Sequence, residues 1–273
     1  MTPTPASPLR WTRFRAPAGT PPPAAATPAG TVVYAIGDVH GRADLLATMQ
    51  RGIALDAQRR RARRRVVVYL GDYISRGPDS RRVLEQVIAW RPDGFEIVAL
   101  KGNHEQLLLR YLDGDLMIGR HWLGYGASEA LAAYGVALPR DVIADDALLT
   151  EMRHRLVAAM PEAHVRFVRS LATGHREGGY LFAHAGILPG VALDAQRERD
   201  LVWIRGRFLR SADDHGAVVV HGHSITEEPQ VRHNRIGIDT GAYRSGVLTC
   251  LVLDGRERAF LQTVGDAPPR GSG

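Results

Sequence analysis

The sequence predicts an α/β chain in which two β-sheets stack as a sandwich with helices flanking them. Two observations carry this. In the first half, short apolar runs that end in polar loops alternate with amphipathic stretches, the pattern of βαβ units around a largely parallel sheet. In the last third, further short apolar runs follow one another between Gly-rich turns, which reads as a second sheet packed on the first.

Residues 1–30 are rich in Pro, Ala and Thr without a period, and read as a flexible tail. The basic-aromatic "RWTRFR" at Arg10–Arg15 is taken as a solvated arm of that tail rather than a nucleic-acid contact. Order is expected from "TVVYAIGD", a buried strand running into a loop, with the folded domain covering 31–264. A helix is predicted over about 42–58, a second strand in "VVVYLGD" at 66–72, a helix over 80–90 and a third strand in "FEIVAL". Leu107, Leu108 and Tyr111 then mark another helical stretch after "KGNHE". Residues 113–176 have helical composition broken by glycine ("HWLGYGASEALAAYG") and read as a helical insert or cap. The second sheet is expected from "GYLFAHAG", "GAVVVHGHS", "RIGIDTGA" and "GVLTCLVLD", and 265–273 as another flexible tail.

With 273 residues, 45% of them hydrophobic, the chain can bury a sizeable core. Its formal charge is +6, and Lys101 is the sole lysine. Guanidinium forks suit carboxylates and phosphates, so acidic or phosphorylated partners fit the composition. The run "QRRRARRR" at Gln58–Arg65 lies where a helix ends, and reads as a solvated surface in preference to a nucleic-acid site. Cys250 stands alone inside "VLTCLVLD", which excludes a disulfide framework or a thiolate zinc cage and reads as a buried structural thiol. No run approaches the roughly 18 apolar residues of a membrane span, and the N-terminus lacks the apolar segment of a signal peptide. The cytoplasm is the expected location, with no membrane partner.

The polar residues concentrate at strand ends. "GDVHG" places Asp38 and His40 after the first strand, "GDYISRG" places Asp72 after the second, and "GNHE" places Asn103 and His104 after the third. In an open parallel sheet the carboxyl ends of the strands form the ligand crevice, so these loops should converge. His184 in "FAHAG" and His221 and His223 in "VVHGHS" repeat the pattern. Asp, Asn and imidazole donors without a thiolate suit borderline divalent cations such as Mn, Fe, Zn or Co. A carboxylate between two half-sites can bridge two metals and so clamp a phosphoryl group. His121, His154, His164, His175, His215 and His233 lack this context and read as ordinary core or surface residues.

This ordered series ("GDVHG", "GDYISRG", "GNHE", "HAG", "GHS") resembles the calcineurin-like metallophosphoesterases, and within them the phosphoprotein phosphatases with their bacterial serine/threonine phosphatase and diadenosine tetraphosphatase-like members. The resemblance runs from about Val32 to Val264. It implies a four-layer fold, two sheets between helices, and two divalent metal ions, Mn foremost, with Fe, Zn, Co or Ni as alternatives. The first metal would take Asp38, His40 and Asp72; the second would share Asp72 and add Asn103, His184 and His223. His221 beside it would be structural. His104 would protonate the leaving group, and Asn103, Arg76 and Arg205 would join it in holding the substrate phosphate. Arg205 is chosen from the Trp-x-Arg of "LVWIRGRF", with Arg207 as the fallback.

One position departs from the family pattern. GDxxDRG carries a second aspartate that orients and charges the histidine of GNHE, and here that position is Ser75. A hydroxyl could still orient an imidazole but offers no negative charge. The expectation is an active phosphatase with a weakened acid limb, acting on phosphoproteins or, in the rival reading, on dinucleoside polyphosphates or other nucleotides. A metal-binding pseudophosphatase is the reading from another class.

Overall fold

The computed structural model describes residues 10–15, 25–138 and 145–264. The strands are β1 (Arg10–Arg15), β2 (Thr31–Ile36), β3 (Arg64–Tyr69), β4 (Phe95–Ala99), β5 (Gly174–Glu177), β6 (Tyr180–Ala183), β7 (Val218–His221), β8 (Gln230–Val231), β9 (Arg235–Gly237), β10 (Thr249–Asp254) and β11 (Glu257–Val264). The helices are α1 (Ala43–Gln58), α2 (Ser80–Ala89), α3 (Asn103–Leu112), α4 (Leu116–Leu123), α5 (Ala127–Ala133), α6 (Asp146–Ala159), α7 (Glu162–Ser170), α8 (Glu198–Trp203), α9 (Gly206–Leu209) and α10 (Ala242–Ser245).

Two sheets result, ordered β1-β11-β10-β2-β3-β4 and β5-β6-β7-β9-β8. β2, β3 and β4 are parallel and form one side of the first sheet, and β6, β7 and β9 are the parallel centre of the second. Alternation along the strands builds the layers. Val33, Ala35, Val66 and Val68 face inward and meet Phe182, Val218, Val220 and Ile236 of the other sheet. Their neighbours Val32, Tyr34, Ile36, Val67 and Tyr69 face outward onto Leu45, Leu46 and Met49 of α1 and Val83, Leu84 and Val87 of α2. On the far side Leu181, Ala183 and Val219 pack under Leu201 and Phe208 of α8 and α9. The order is therefore helices, sheet, sheet, helices. β2 and β3 are apolar on both faces because both faces are covered.

The strands of the last third do not all enter the second sheet. β10, the "VLTCLVLD" segment, lies in the first sheet, antiparallel to β2, and its partner β11 lies beyond it. Cys250 is fully buried there, between sheet and helices.

Arg10–Arg15, expected as part of an unstructured arm, is an edge strand paired with β11 from Arg10↔Val264 to Arg15↔Ala259. Its own alternation explains this. Phe14 stacks on Phe260 (ring centroids 5.4 Å apart), while on the other face Trp11 sits over Gly52 of α1, where an added Cβ would lie 3.1 Å from the indole. Thr27 is buried too, its hydroxyl donating to Thr31 O.

The arginine run is partly structural. Arg60 pairs with Asp56, which also accepts from the Tyr34 hydroxyl, and with Asp254; Arg64 pairs with Glu96 and Glu177. The helices α4 to α7 lie within 113–176 and share the helical-side core through Trp122, Leu131, Met152, Leu156 and Val168. This insert is continuous with the body of the domain, and its α4–α5 turn reaches the rim of the cleft described next.

Candidate active site

Three loops are knitted together by backbone contacts. The Val39 and His40 N–H groups donate to Asp72 O (3.1 and 2.8 Å), and Gly41 N–H donates to Tyr73 O (2.9 Å). The fit leaves no room for side chains: a Cβ on Gly77 would lie 2.2 Å from His40 O. Glu105, fully buried, fastens the second loop to the third. Its carboxylate accepts the N–H groups of Asp72, Tyr73 and Gly102, each at 2.9 Å. Among the described residues, the non-glycine residues with positive φ are His40, Asp72, Ser75, Arg76 and His223. All are predicted site positions or their neighbour Ser75. Each such conformation costs about 1–3 kcal/mol and persists where the surroundings over-determine it.

The side chains meet around Asp72. Its Oδ1 accepts the His104 backbone N–H (3.1 Å), while three imidazole Nε2 atoms approach Oδ2: His40 at 3.3 Å, His184 at 3.5 Å and His104 at 3.9 Å. His223 Nδ1 lies 3.2 Å and Asn103 Oδ1 3.0 Å from His184 Nε2. Two groups of potential metal ligands emerge, His40–Asp72–His104 and Asp72–His184–His223, with Asp72 in both. Asp38 closes the cluster from below, accepting the His223 backbone N–H on Oδ1 (3.2 Å) and Oδ2 (3.0 Å). His221 turns away, its Nδ1 on Gly222 O and its ring against Gly237.

This arrangement fits a cation. His40 and His184 each donate Nδ1–H to a backbone carbonyl, Ile74 O and Leu70 O respectively, both at 2.9 Å. A neutral ring so fixed leaves Nε2 as a lone pair. Both lone pairs then point at the Asp72 carboxylate, and that of His184 also at Asn103 Oδ1, acceptor against acceptor. His40 Nε2, both ring nitrogens of His104 and Asp239 Oδ2 are buried without a hydrogen-bond partner. The electrostatics agree. Burial, with Arg76 nearby, holds the His40 imidazole well below its ordinary pKa; burial brings His184 to about 4; burial and His184 lower His223. Burial raises Asp72 to about 7, and burial with the Asp239 and Asp72 charges raises Asp38. Neutral imidazoles facing crowded carboxylates are the donor set of a borderline divalent ion.

The two predicted arginines lie at the rim. Arg76 sits over the Tyr243 ring, its guanidinium carbon 5.0 Å from the centroid, and its N–H donates to Gly126 O (2.9 Å) in the α4–α5 turn. Arg205 Nε donates to His223 Nε2 at 3.0 Å, which brings it to the cluster; Arg207 is exposed on α9.

Ser75 does not take over the aspartate's task. Its Oγ accepts the indole N–H of Trp122 at 3.0 Å, and its own N–H donates to Ser80 Oγ at 2.9 Å. Ser75 and Trp122 are buried, and no hydrogen bond links Ser75 to His104. The His104 ring is held instead by contacts: edge-on to His40 with centroids 4.7 Å apart, and edge-on to Tyr125 at 6.3 Å.

Several residues of the cleft escaped the sequence reading. Asp239 and Tyr243 follow β9 in "IDTGAY", the same pattern of an acid after an apolar strand beside glycine that located the other loops. Asp239 Oδ1 accepts Gly241 N–H at 2.9 Å, and Tyr243 stands edge-on to His40, 5.5 Å between centroids. Glu105 lay inside the quoted "GNHE". His121, read as an ordinary histidine, stands 4.8 Å from the Tyr125 ring beside the cleft. His164 is the satisfied core residue expected, its Nδ1 2.9 Å from the Tyr134 hydroxyl.

The family model described as calcineurin-like phosphoesterase matches residues 31–243. The bis(5'-nucleosyl)-tetraphosphatase PrpE (asymmetrical) of Bacillus subtilis is 27% identical over 236 residues, covering 78% of this chain and 87% of the relative. A cold-active protein-tyrosine phosphatase of a Shewanella species is similar in structure with a TM-score of 0.53 at 18% identity, covering 84% of this chain and 78% of that one. A protein serine/threonine phosphatase of Saccharomyces cerevisiae gives 0.50 at 14% identity, covering 88% and 82%. At these identities the two structures share the fold alone.

Proposed function

Because this chain belongs to the calcineurin-like phosphoesterases, we propose that the cleft is a two-metal phosphohydrolase centre that favours phosphoanhydrides of the dinucleoside polyphosphate type. In this reading Asp38, His40 and Asp72 hold one divalent ion, and Asp72, Asn103, His184 and His223 hold the other. Manganese is the first candidate. Two such ions, when bound, supply Lewis-acid polarisation of the phosphoryl group and an activated water. The chain's own residues do the rest. Arg76 and Arg205 neutralise the phosphoryl oxygens, where electrostatic stabilisation serves phosphoryl transfer most. Asn103 and His104 complete the phosphate cradle, and His104 delivers a proton to the departing oxygen.

The observation that carries the choice of substrate is the Trp122–Ser75 hydrogen bond. The Ser75 oxygen is turned to the indole, and both ring nitrogens of His104 are left without a hydrogen-bond partner. With no hydrogen bond from a carboxylate or hydroxyl to either ring nitrogen, His104 is a weak general acid. The need for a general acid grows with the basicity of the leaving oxygen. A serine alkoxide needs a proton badly; a phosphate leaving from an anhydride needs little. The resemblance to the tetraphosphatase of Bacillus subtilis supports the same choice. Hydrolysis of phosphoproteins, the first expectation from sequence, becomes the second reading, and the fold likeness to protein phosphatases favours neither.

The test is a substrate panel with added manganese: diadenosine tetraphosphate, an aryl phosphate and a phosphoserine peptide. kcat/KM should fall in that order, by about 100-fold or more from first to last, the scale of general-acid help. A phosphoserine peptide turned over as well as the tetraphosphate would overturn it.

A further inference from the structure

Two aromatic rings that no catalytic step uses stand at the mouth of the cleft. Tyr125, in the turn between α4 and α5, is edge-on to His104, and Trp203, at the end of α8, is edge-on to His223 with 6.3 Å between centroids. The two rings lie 6.3 Å apart at 78°, the two walls of a corner. Each wall thus touches one of the histidines around Asp72. We propose that this corner is a nucleobase platform, which stacks the base of a nucleotide whose phosphate lies between Arg76 and Arg205. The inference rests on the phosphohydrolase reading and adds to it the residues that recognise the nucleoside.

Four features support the assignment. Tyr125 is 36% exposed, whereas Tyr73, Tyr111 and Trp122 are at most 1% exposed; this ring was not left out for want of core. Trp203 is fixed: its indole N–H donates to Gln106 Oε1 (2.6 Å), and the Gln106 amide donates to Glu198 Oε1 (3.0 Å), which also receives Lys101 Nζ (3.1 Å). A ring held in place before the ligand arrives loses little entropy on binding. His121 backs Tyr125 at 4.8 Å, so its ring is braced as well. Finally, the Trp-x-Arg segment brings ring and guanidinium to the same histidine, since Arg205 and Trp203 both contact His223. A phosphate on Arg205 therefore has an aromatic face beside it. The short side chain of phosphoserine or phosphothreonine carries no ring to that face, but the base of a 5′-nucleotide does.

Calorimetry of the manganese-loaded protein with AMP and with ribose 5-phosphate isolates the base, because the two ligands share everything else. Stacking on an aromatic side chain is worth about 1–3 kcal/mol, so AMP should bind about 5- to 150-fold more tightly than ribose 5-phosphate. Tyr125→Ala should remove most of that preference, and Tyr125→Phe, which keeps the ring, should restore it. Trp203 fluorescence should respond to AMP and not to ribose 5-phosphate. Equal affinity for the two ligands, or a preference that survives Tyr125→Ala, would overturn the proposal. So would a Tyr125-dependent gain shown by phenyl phosphate and absent for AMP, which would make the corner an aryl-ester site. AMP and ribose 5-phosphate are both alkyl phosphates, the class this centre should turn over least, and the preference is read as an affinity and not as a rate. A protein that stacks AMP yet hydrolyses no anhydride would contradict the proposed activity and leave the platform standing.

Discussion

At the scale of single residues, Asp72 is the point on which the site turns. One of its oxygens accepts a backbone N–H and the other faces three imidazoles. Asp72→Asn replaces one carboxylate oxygen by an N–H donor that cannot ligate. Metal content measured by atomic emission should fall from two ions per chain to one or fewer, with kcat reduced at least about 100-fold, as for loss of a main electrostatic group. Full metal content with normal turnover would contradict the shared-ligand reading. Trp122→Phe deletes the donor to Ser75 and leaves a buried hydroxyl without that partner, a loss of about 1–3 kcal/mol in chemical denaturation. Asp38, His40, Asp72, Asn103, His104, His184 and His223 were legible because each follows an apolar strand beside glycine. The partner of Ser75 was not: Trp122 lies 47 residues away on an insert whose packing no local pattern encodes.

At the scale of elements, the parallel strands and their helices could be read from sequence because period and length agree in each. β1 could not, since a Pro- and Ala-rich context hid an alternation only six residues long. β10 read as a strand, but its sheet was misassigned: strand pairing is a long-range choice, and an apolar run fits either sheet. If β1 is integral, Phe14→Ala should cost about 1–2 kcal/mol, less than full burial would give because Phe14 is partly exposed. An unchanged midpoint in urea would return the segment to a loose arm. The arginine run offers a second check. Arg60→Ala strips a nearly buried cation from Asp56 and should destabilise by about 2–4 kcal/mol. Arg61→Ala, at an exposed position, should stay within about 0.5 kcal/mol. Equal effects of the two would contradict the structural role given to Arg60.

At the scale of the whole molecule, the three-strand parallel block of each sheet aims its loops at one edge of a four-layer sandwich, six loops in all, and strained backbone collects there. The carboxylates and bare imidazoles of that edge oppose folding until cations arrive. Dialysis against a chelator should therefore lower Tm, and manganese at about 100 times its Kd should return about 2.7 kcal/mol, or about 5–10 °C for a domain of this size. In the proposed mechanism this centre runs with a weak acid limb. It is tested most directly by the dependence of kcat/KM on leaving-group basicity, measured over a series of aryl and alkyl phosphates in the native chain and in Ser75→Asp. A steep fall with basicity is expected in the native chain and a shallower one in the variant, with the gain confined to the basic leaving groups. A native series already flat, and unchanged by the carboxylate, would contradict it.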